Sequence, residues 1–257
     1  MSYQDFNLLH SNPSAFVLAN VWDVPSALAA KECGFVAIGT SSAAIASQFG
    51  YEDGENVPFD TILMVVERIL ANTDLPLTVD LESGYSNNPE KVADNIMQLT
   101  KLGVVGINIE DSKVENGERV LECADEFASF FSHIKQILKQ HDTNVFLNVR
   151  TDTYILNGED KLQETIKRGQ LYQAVGADGL FVPCITKLNE IVRVCENVTL
   201  PINVMCMPDL AGFDALSHVG VKRISMGNFV FDKHRAQLAQ LFTTIKTQNH
   251  FTAMFNS

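Results

Sequence analysis

Two carboxylates, Asp80 and Glu82, stand one residue apart in "LTVDLESGYSN", just where an apolar run ends. A third, Glu110, closes the run "VVGINIE", and an arginine, Arg150, closes "NVFLNVR". Side chains alternate faces along a strand. Thr78, Asp80 and Glu82 therefore share one face, as do Gly106, Asn108 and Glu110 on the next run, and Asn148 and Arg150 on the one after. The residues between them (Val79, Leu81, Ile107, Ile109, Leu147 and Val149) are apolar and point the other way. Three acids brought together in a low dielectric repel one another and hold protons unless balanced. Arg150 supplies one positive charge. A divalent cation supplies the rest, and an all-oxygen donor set favours Mg²⁺, with Mn²⁺ as a substitute, over zinc. The competing reading is a solvated strand end with a structural ion pair to Arg150. Each acid alone suits that reading; the constellation favours the metal.

Other chemistries lack their residues. The six histidines (His10, His133, His141, His218, His234 and His250) all fall away from the predicted strand ends, which argues against a histidine-ligated metal or a histidine base. No lysine ends a strand, since Lys113 and Lys187 lie in loops, so a Schiff-base mechanism is disfavoured. No G-x-S-x-G elbow of a hydrolase occurs.

The elements that must position these residues are eight strand-like runs: "AFVLAN", "FVAIGT", "LPLTVD", "VVGINIE", "NVFLNVR", "DGLFVP", "LPINVM" and "VKRISM". Amphipathic stretches of helical length, such as "DTILMVVERILANT", separate them. That alternation signals parallel βα units. A weak repeat runs through "ECGFVAIG", "KLGVVGINIE", "AVGADGLFVP" and "HVGVKRISM": helix end, glycine, short apolar strand. Gly34, Gly103, Gly176 and Gly220 are the expected left-handed helix stops. Eight such units in 257 residues predict an α/β fold, a closed (β/α)8 TIM-type barrel spanning 1–257 as one domain. An open doubly wound sheet would carry a G-x-G-x-x-G phosphate loop, which is missing.

Barrel chemistry gathers at the C-terminal strand ends and their loops. After the second strand, Thr40, Ser41 and Ser42 precede small residues whose N–H groups could hold an anion; a serine-rich helix cap accounts for them equally well. That segment ends in "YEDGEN", with Asp53. The charged stretch at about 111–121 is either a lid or a surface loop. Residues 229–257 read as a last helix and a tail with apolar residues, which either docks on a neighbouring subunit or frays. Asn203, on the seventh strand, completes the substrate-binding candidates Ser41, Ser42 and Arg150.

The chain is 46% hydrophobic and 19% charged, with a formal net charge of −12. An acidic surface disfavours nucleic acid and anionic lipid. Five cysteines without a C-x-x-C pair, and no signal-like N-terminus, predict reduced thiols in a cytoplasmic protein. No membrane span is expected.

The combination and order of "VDLESGYSN", "GINIEDS" and "NVRTDTY", within similarity running from "NVWDVPSALAAKECGFVAIGTSS" to "VGVKRISMGN", resembles the isocitrate lyase/phosphoenolpyruvate mutase superfamily. The resemblance implies a (β/α)8 barrel, a homotetramer (or dimer) that exchanges its last helix, and Mg²⁺ held by Asp80, Glu82 and Glu110, partly through waters. It implies that Asp53 supports the metal's waters, that Ser41 and Ser42 hold a carboxylate or phosphonate, and that Arg150 binds the substrate's carboxylate or developing charge. The chemistry it implies passes through a metal-stabilised enolate of a 2-oxo acid. Three positions depart from better-known members. Glu82 replaces an aspartate. The lid lacks the Lys-Lys-Cys-Gly-His run of isocitrate lyase, with Cys123 beyond it and read as core packing. Pro183 stands where the mutase has a histidine. The resulting expectation is a carbon–carbon lyase or decarboxylase for a small 2-oxo acid or a 2-hydroxy acid adduct of one. A phosphonopyruvate mutase or hydrolase, and an inactive barrel binding small anions, are the alternatives.

Overall fold

The computed structural model describes residues 3–115 and 117–255. Among the described residues there are ten strands: β1 (Phe16–Val21), β2 (Ile38–Thr40), β3 (Leu77–Asp80), β4 (Gly106–Glu110), β5 (Ser112–Glu115), β6 (Glu118–Leu121), β7 (Phe146–Arg150), β8 (Gly179–Val182), β9 (Ile202–Met205) and β10 (Val221–Ser225). Eight of them are the apolar runs read from the sequence. They close into a parallel barrel in the order β1-β2-β3-β4-β7-β8-β9-β10. Strands of a parallel barrel are covered by helices on their outer face, which is why their outward residues are uniformly apolar. Gly34, Gly103, Gly176 and Gly220 all have left-handed φ values, from +77° to +110°, as the helix-stop pattern requires. The register sets the site: Asp80 pairs with Asn108, and Glu110 pairs with Arg150 on the neighbouring strand.

β5 and β6 form an antiparallel hairpin outside the barrel, with Ser112 opposite Leu121 and Val114 opposite Arg119. The charged stretch at 111–121 is therefore a built element carried above the mouth. Asn116 lies outside the described residues.

The sequence reading contained no floor for the barrel, and the structure supplies one. Helix Tyr3–Leu9 packs Phe6, fully buried, against Phe16, Leu18, Ala37, Val105 and Phe146. Room for it comes from Gly106, where a Cβ would lie 2.9 Å from both the Phe6 ring and Thr78 Oγ1. Above the floor is a polar layer. Asn148 Nδ2 donates to Asn108 Oδ1 (3.0 Å) and to Asn203 Oδ1 (3.2 Å), and Arg223 Nη2 reaches Asn108 Oδ1 at 3.3 Å. Asn203 donates to the Val204 carbonyl at 2.8 Å and is 1% exposed. This differs from its expected place among the substrate contacts: its amide is committed inside the barrel, because its position on β9 lies below the strand end.

His10 stacks on Phe146 with centroids 4.0 Å apart and donates through Nδ1 to the Phe6 carbonyl. Burial, helped by the charge of Arg223, pushes its pKa down to about 3. The fold thus disfavours the protonated ring. Its stability contribution is complete above the unfolded pKa of about 6.5 and is lost as pH falls toward 3. His10→Phe is expected to flatten this part of a plot of urea midpoint against pH. A wild-type-minus-variant difference that stays constant from pH 7 to 3 would refute the assignment.

All five cysteines are free, and Cys123 is exposed, contrary to its expected core packing. It occupies the cap position before helix Ala124–Gln140, where its side chain stays outside. Cys123→Ser is expected to change unfolding free energy by less than about 0.5 kcal/mol and to leave turnover unaltered. A loss of several orders in kcat would instead make this thiol a lid acid. No helix among the described residues is long and apolar enough to cross a membrane.

Candidate active site

Asp80 is the last residue of β3, and its N–H donates to Thr40 Oγ1 at 2.9 Å. Ser42 Oγ donates to Asp80 Oδ2 at 3.1 Å, while Oδ1 is buried with no hydrogen-bond partner. Ser41, one residue earlier, caps helix Ser42–Phe49 by accepting from the Ala44 N–H. Of the readings left open by the sequence, Ser41 takes the helix cap; Ser42 orients an acid, a role in neither. Burial raises the Asp80 pKa against the pull of Arg150.

Glu82 lies in the turn after β3 with φ +54°. Its Oε2 accepts the Glu55 N–H at 2.8 Å. Glu55 returns the contact, its Oε1 accepting Ser83 Oγ (2.8 Å) and the Tyr85 N–H (2.7 Å). The "YEDGEN" loop is therefore clamped to the β3 turn through Glu55. Asp53 is exposed at the mouth, near enough for its charge to act on Asp80 and Glu82. Burial first, then the charges of Asp53, Asp80 and Glu110, push Glu82 up to about 8. Glu55, Glu82, Tyr85 and Cys184 all hold positive φ around this rim. Left-handed backbone at non-glycine residues costs of order 1–3 kcal/mol each and concentrates at functional sites.

Glu110 ends β4 and is 3% exposed. Arg150 Nη1 lies 3.0 Å from its Oε2 without hydrogen-bond alignment, and Arg119 Nη1 bonds its Oε1. Burial pushes the Glu110 carboxyl up; the two arginines oppose that. Arg150 forks onto Asp152, with Nε to Oδ1 at 2.6 Å and Nη2 to Oδ2 at 3.1 Å. Arg119 Nη1 also reaches Asp152 Oδ2 (2.9 Å) and Ser112 Oγ (2.8 Å). The sequence reading missed Asp152, Ser112 and Arg119. A usable signal existed for the last: the Asn-Gly pair at 116–117 is a strong two-residue hairpin signal, and it would have placed Arg119 on a strand folded back toward β4.

A second buried network holds this wall from behind. Asp111 accepts Tyr172 OH (2.6 Å), Arg168 Nη1 (3.0 Å) and the Asp152 N–H (3.0 Å). Arg168 also donates to the Glu122 carbonyl at 2.8 Å and so ties down the hairpin exit.

Four acids, Asp53, Asp80, Glu82 and Glu110, thus surround one region of the mouth, and Arg150 and Arg119 pair with Glu110 and Asp152. Among the described residues, no three Asp, Glu, His or Cys side chains are arranged to hold a metal directly. The unpartnered, buried Asp80 Oδ1, an all-oxygen donor set and an excess of negative charge nonetheless fit a divalent ion that keeps most of its waters, as Mg²⁺ does. A cavity of about 190 Å³, bounded by Glu55, Glu82, Ser83, Glu110, Ser112 and Lys113, leaves room only for a small ligand. Two larger clefts, of about 760 and 650 Å³, lie away from the acids.

A closed parallel barrel with acids and arginines gathered at its strand C-termini defines a class of enzyme scaffold in which the catalytic groups sit at that rim. Residues 6–246 match the family described as phosphoenolpyruvate phosphomutase, and the chain belongs to this phosphoenolpyruvate mutase/isocitrate lyase superfamily. The superfamily includes lyases, decarboxylases, hydrolases and mutases acting on small carboxylates. The chain is 37% identical over 228 residues to an uncharacterized protein of Mycobacterium tuberculosis, covering 89% of this chain and 82% of the other. It is 28% identical over 231 residues to oxaloacetate decarboxylase of Pseudomonas savastanoi pv. phaseolicola, 86% of this chain and 78% of that one. A Burkholderia cenocepacia J2315 protein, provisionally named a phosphonomutase, superposes with a TM-score of 0.88 at 37% identity, over 94% of this chain and 99% of its own. A phosphonopyruvate hydrolase crystallised with oxalate and Mg²⁺ shares the fold, with a TM-score of 0.85 at 20% identity over 97% of this chain and 89% of its own.

Proposed function

We propose that the protein is a cytoplasmic, Mg²⁺-dependent carbon–carbon lyase or decarboxylase acting on a small 2-oxo acid, or on a 2-hydroxy acid adduct of one, by way of an enolate. The observation that carries this reading is Asp80 Oδ1: a buried carboxylate oxygen with no protein partner, beside Glu82, Glu110 and Asp53, at the catalytic end of the barrel. When bound, the metal supplies the positive charge that stabilises a developing enolate. The chain's own residues do the rest. Ser42 aims Asp80. The Glu55 N–H and Tyr85 OH hold Glu82 in place. Asp152 fixes Arg150 so that its charge faces Glu110. The overlying hairpin limits entry of water. Similarity to an oxaloacetate decarboxylase supports breaking a carbon–carbon bond beside a 2-oxo acid.

The second reading, carbon–phosphorus chemistry on phosphonopyruvate, draws on the phosphomutase family match. Pro183, at the end of β8, leaves that rim without an imidazole. The deciding experiment is a Mg²⁺-dependent screen of oxaloacetate, phosphonopyruvate, 2-methylisocitrate and alkylmalates, read as released pyruvate or phosphate. Pyruvate from oxaloacetate or a malate-type acid supports the lyase. Inorganic phosphate from phosphonopyruvate supports the alternative. Oxalate binding without any turnover would leave a binding protein.

The reading includes a homo-oligomer, a tetramer or dimer, with helix Phe229–Gln248 exchanged between copies. None of the twenty residues of this helix is buried, and Phe242 is 61% exposed. Most helices draw their stability from packing an apolar face, and this one has little to pack on in its own chain. The melting temperature is therefore expected to rise with protein concentration; a concentration-independent value would remove the oligomer.

A further inference from the structure

The family resemblance implies that Arg150 binds the substrate's carboxylate or its developing charge. In the structure the fork of Arg150 is already spent: Nε and Nη2 hold Asp152, and Nη1 faces Glu110. A guanidinium recognises a carboxylate best through two parallel N–H donors, and Arg150 has no such pair left. Arg119 has. Among the described residues, all its contacts run through Nη1, to Glu110, Asp152 and Ser112. Two of those partners, Glu110 and Ser112, line the mouth cavity. Its carrier is also the part of the mouth best suited to move. The hairpin is a two-stranded sheet outside the barrel, with Val114 and Val120 40% and 45% exposed, and two strands alone contribute little stability of their own.

Charge decides when Arg119 would change partner. Before a metal arrives, Arg119 and Arg150 together balance Glu110 and Asp152. A divalent cation among Asp80, Glu82 and Glu110 competes for the same Glu110 carboxylate and repels the guanidinium.

We propose that Arg119 is a lid-borne substrate-binding residue: it holds Glu110 in the metal-free enzyme and, once the metal takes over that carboxylate, turns its fork to the carboxylate of the bound acid. This rests on the metal reading above and deepens it by naming the side chain that senses the substrate's anion. It predicts effects of opposite sign from one substitution. In Arg119→Gln, a competitor for the acids is lost, so Mg²⁺ alone should bind about tenfold more tightly; oxalate should bind the Mg²⁺-saturated variant about tenfold more weakly. Each tenfold step corresponds to ~1.4 kcal/mol. Arg119→Lys keeps a charge but not a fork. It should return Mg²⁺ affinity toward the wild-type value while leaving oxalate binding weak.

Calorimetric titration with Mg²⁺, then with oxalate at saturating Mg²⁺, reads both, and thermal melts confirm that the variants are folded. Opposite shifts in Arg119→Gln support the assignment. Two losses, or two unchanged affinities, make Arg119 a scaffold residue and overturn it. A wild-type protein that takes up no Mg²⁺ would show that the metal reading itself has failed, and this inference with it.

Discussion

Asp80→Asn is expected to abolish Mg²⁺-dependent turnover, a loss of about three orders of magnitude, comparable to removing a principal electrostatic contact of a reacting oxyanion. The substitution keeps the shape of the side chain and its contact with Ser42. It exchanges the unpartnered oxygen of a carboxylate for a neutral amide atom. The same change carries a second signature. Burial raises the folded pKa of Asp80. An acid whose folded pKa lies above its unfolded value costs stability as pH rises through that interval, so at neutral pH the metal-free wild type bears this cost and the variant does not. Asp80→Asn should thus melt no lower than the wild type without metal, while losing the rise in melting temperature that Mg²⁺ gives the wild type. Turnover within tenfold of the wild type would remove Asp80 from the metal site.

Arg168→Met should be the most destabilising of the single changes considered, by about 3–5 kcal/mol, the cost of breaking a buried ion pair from one side. Asp111 is 0% exposed and would keep Tyr172 OH and the Asp152 N–H but lose its cation. The Glu122 carbonyl would lose its donor as well. The damage should not stay structural. Asp111 positions Asp152, and Asp152 positions Arg150, so oxalate affinity at saturating Mg²⁺ should fall with stability. Urea denaturation measures the first effect and calorimetry the second. A change under 1 kcal/mol would mean that the Arg168 side chain is solvated in the wild type. The double variant Arg168→Met with Asp111→Leu, which removes both charges, should recover much of the loss, because well-packed apolar groups often match a buried pair.

These networks show where sequence reading succeeds and where it stops. The barrel was legible because a parallel strand covered on its outer face must be apolar at every second residue, and because Gly34, Gly103, Gly176 and Gly220 mark the helix ends. Asp80, Glu110 and Arg150 were legible for the same reason: a charged residue ending an apolar run on the inward face has only the barrel mouth to enter. Glu82 was harder. Period-two alternation assigned it to the strand, but the chain has already turned there, at φ +54°, and its carboxylate is fixed by the Glu55 backbone. Asn203 failed on depth, since alternation gives the face of a strand and not the layer. Arg119 was missed because its partners lie across loops, and Asp152 because it follows the end of β7, where alternation no longer gives a side chain's direction. Long-range side-chain pairing leaves no period in a sequence, and only the Asn-Gly turn hinted at one half of it. The floor helix was missed because it is only seven residues long and Phe6 is its one buried residue, too few for a periodic signal.

That floor carries a consequence for how the protein is made. Helix Tyr3–Leu9 leaves the ribosome well before β7, yet Phe6 rests on Phe146 of β7, at a ring-centroid distance of 5.7 Å. Four of the eight barrel strands must be synthesised before that partner exists. Contacts so distant along the chain are slow to form, since the intervening loop must first be closed. Until β7 is in place Phe6 lacks the Phe146 wall of its pocket, and Phe16, Leu18, Ala37 and Val105 are left only partly covered. An unfinished barrel of this kind exposes apolar surface and unpaired strand edges, the features that draw chaperones and promote misassembly. The floor helix is thus made before β7 but settles after it, and the closing of the barrel's floor waits on a strand from its far side.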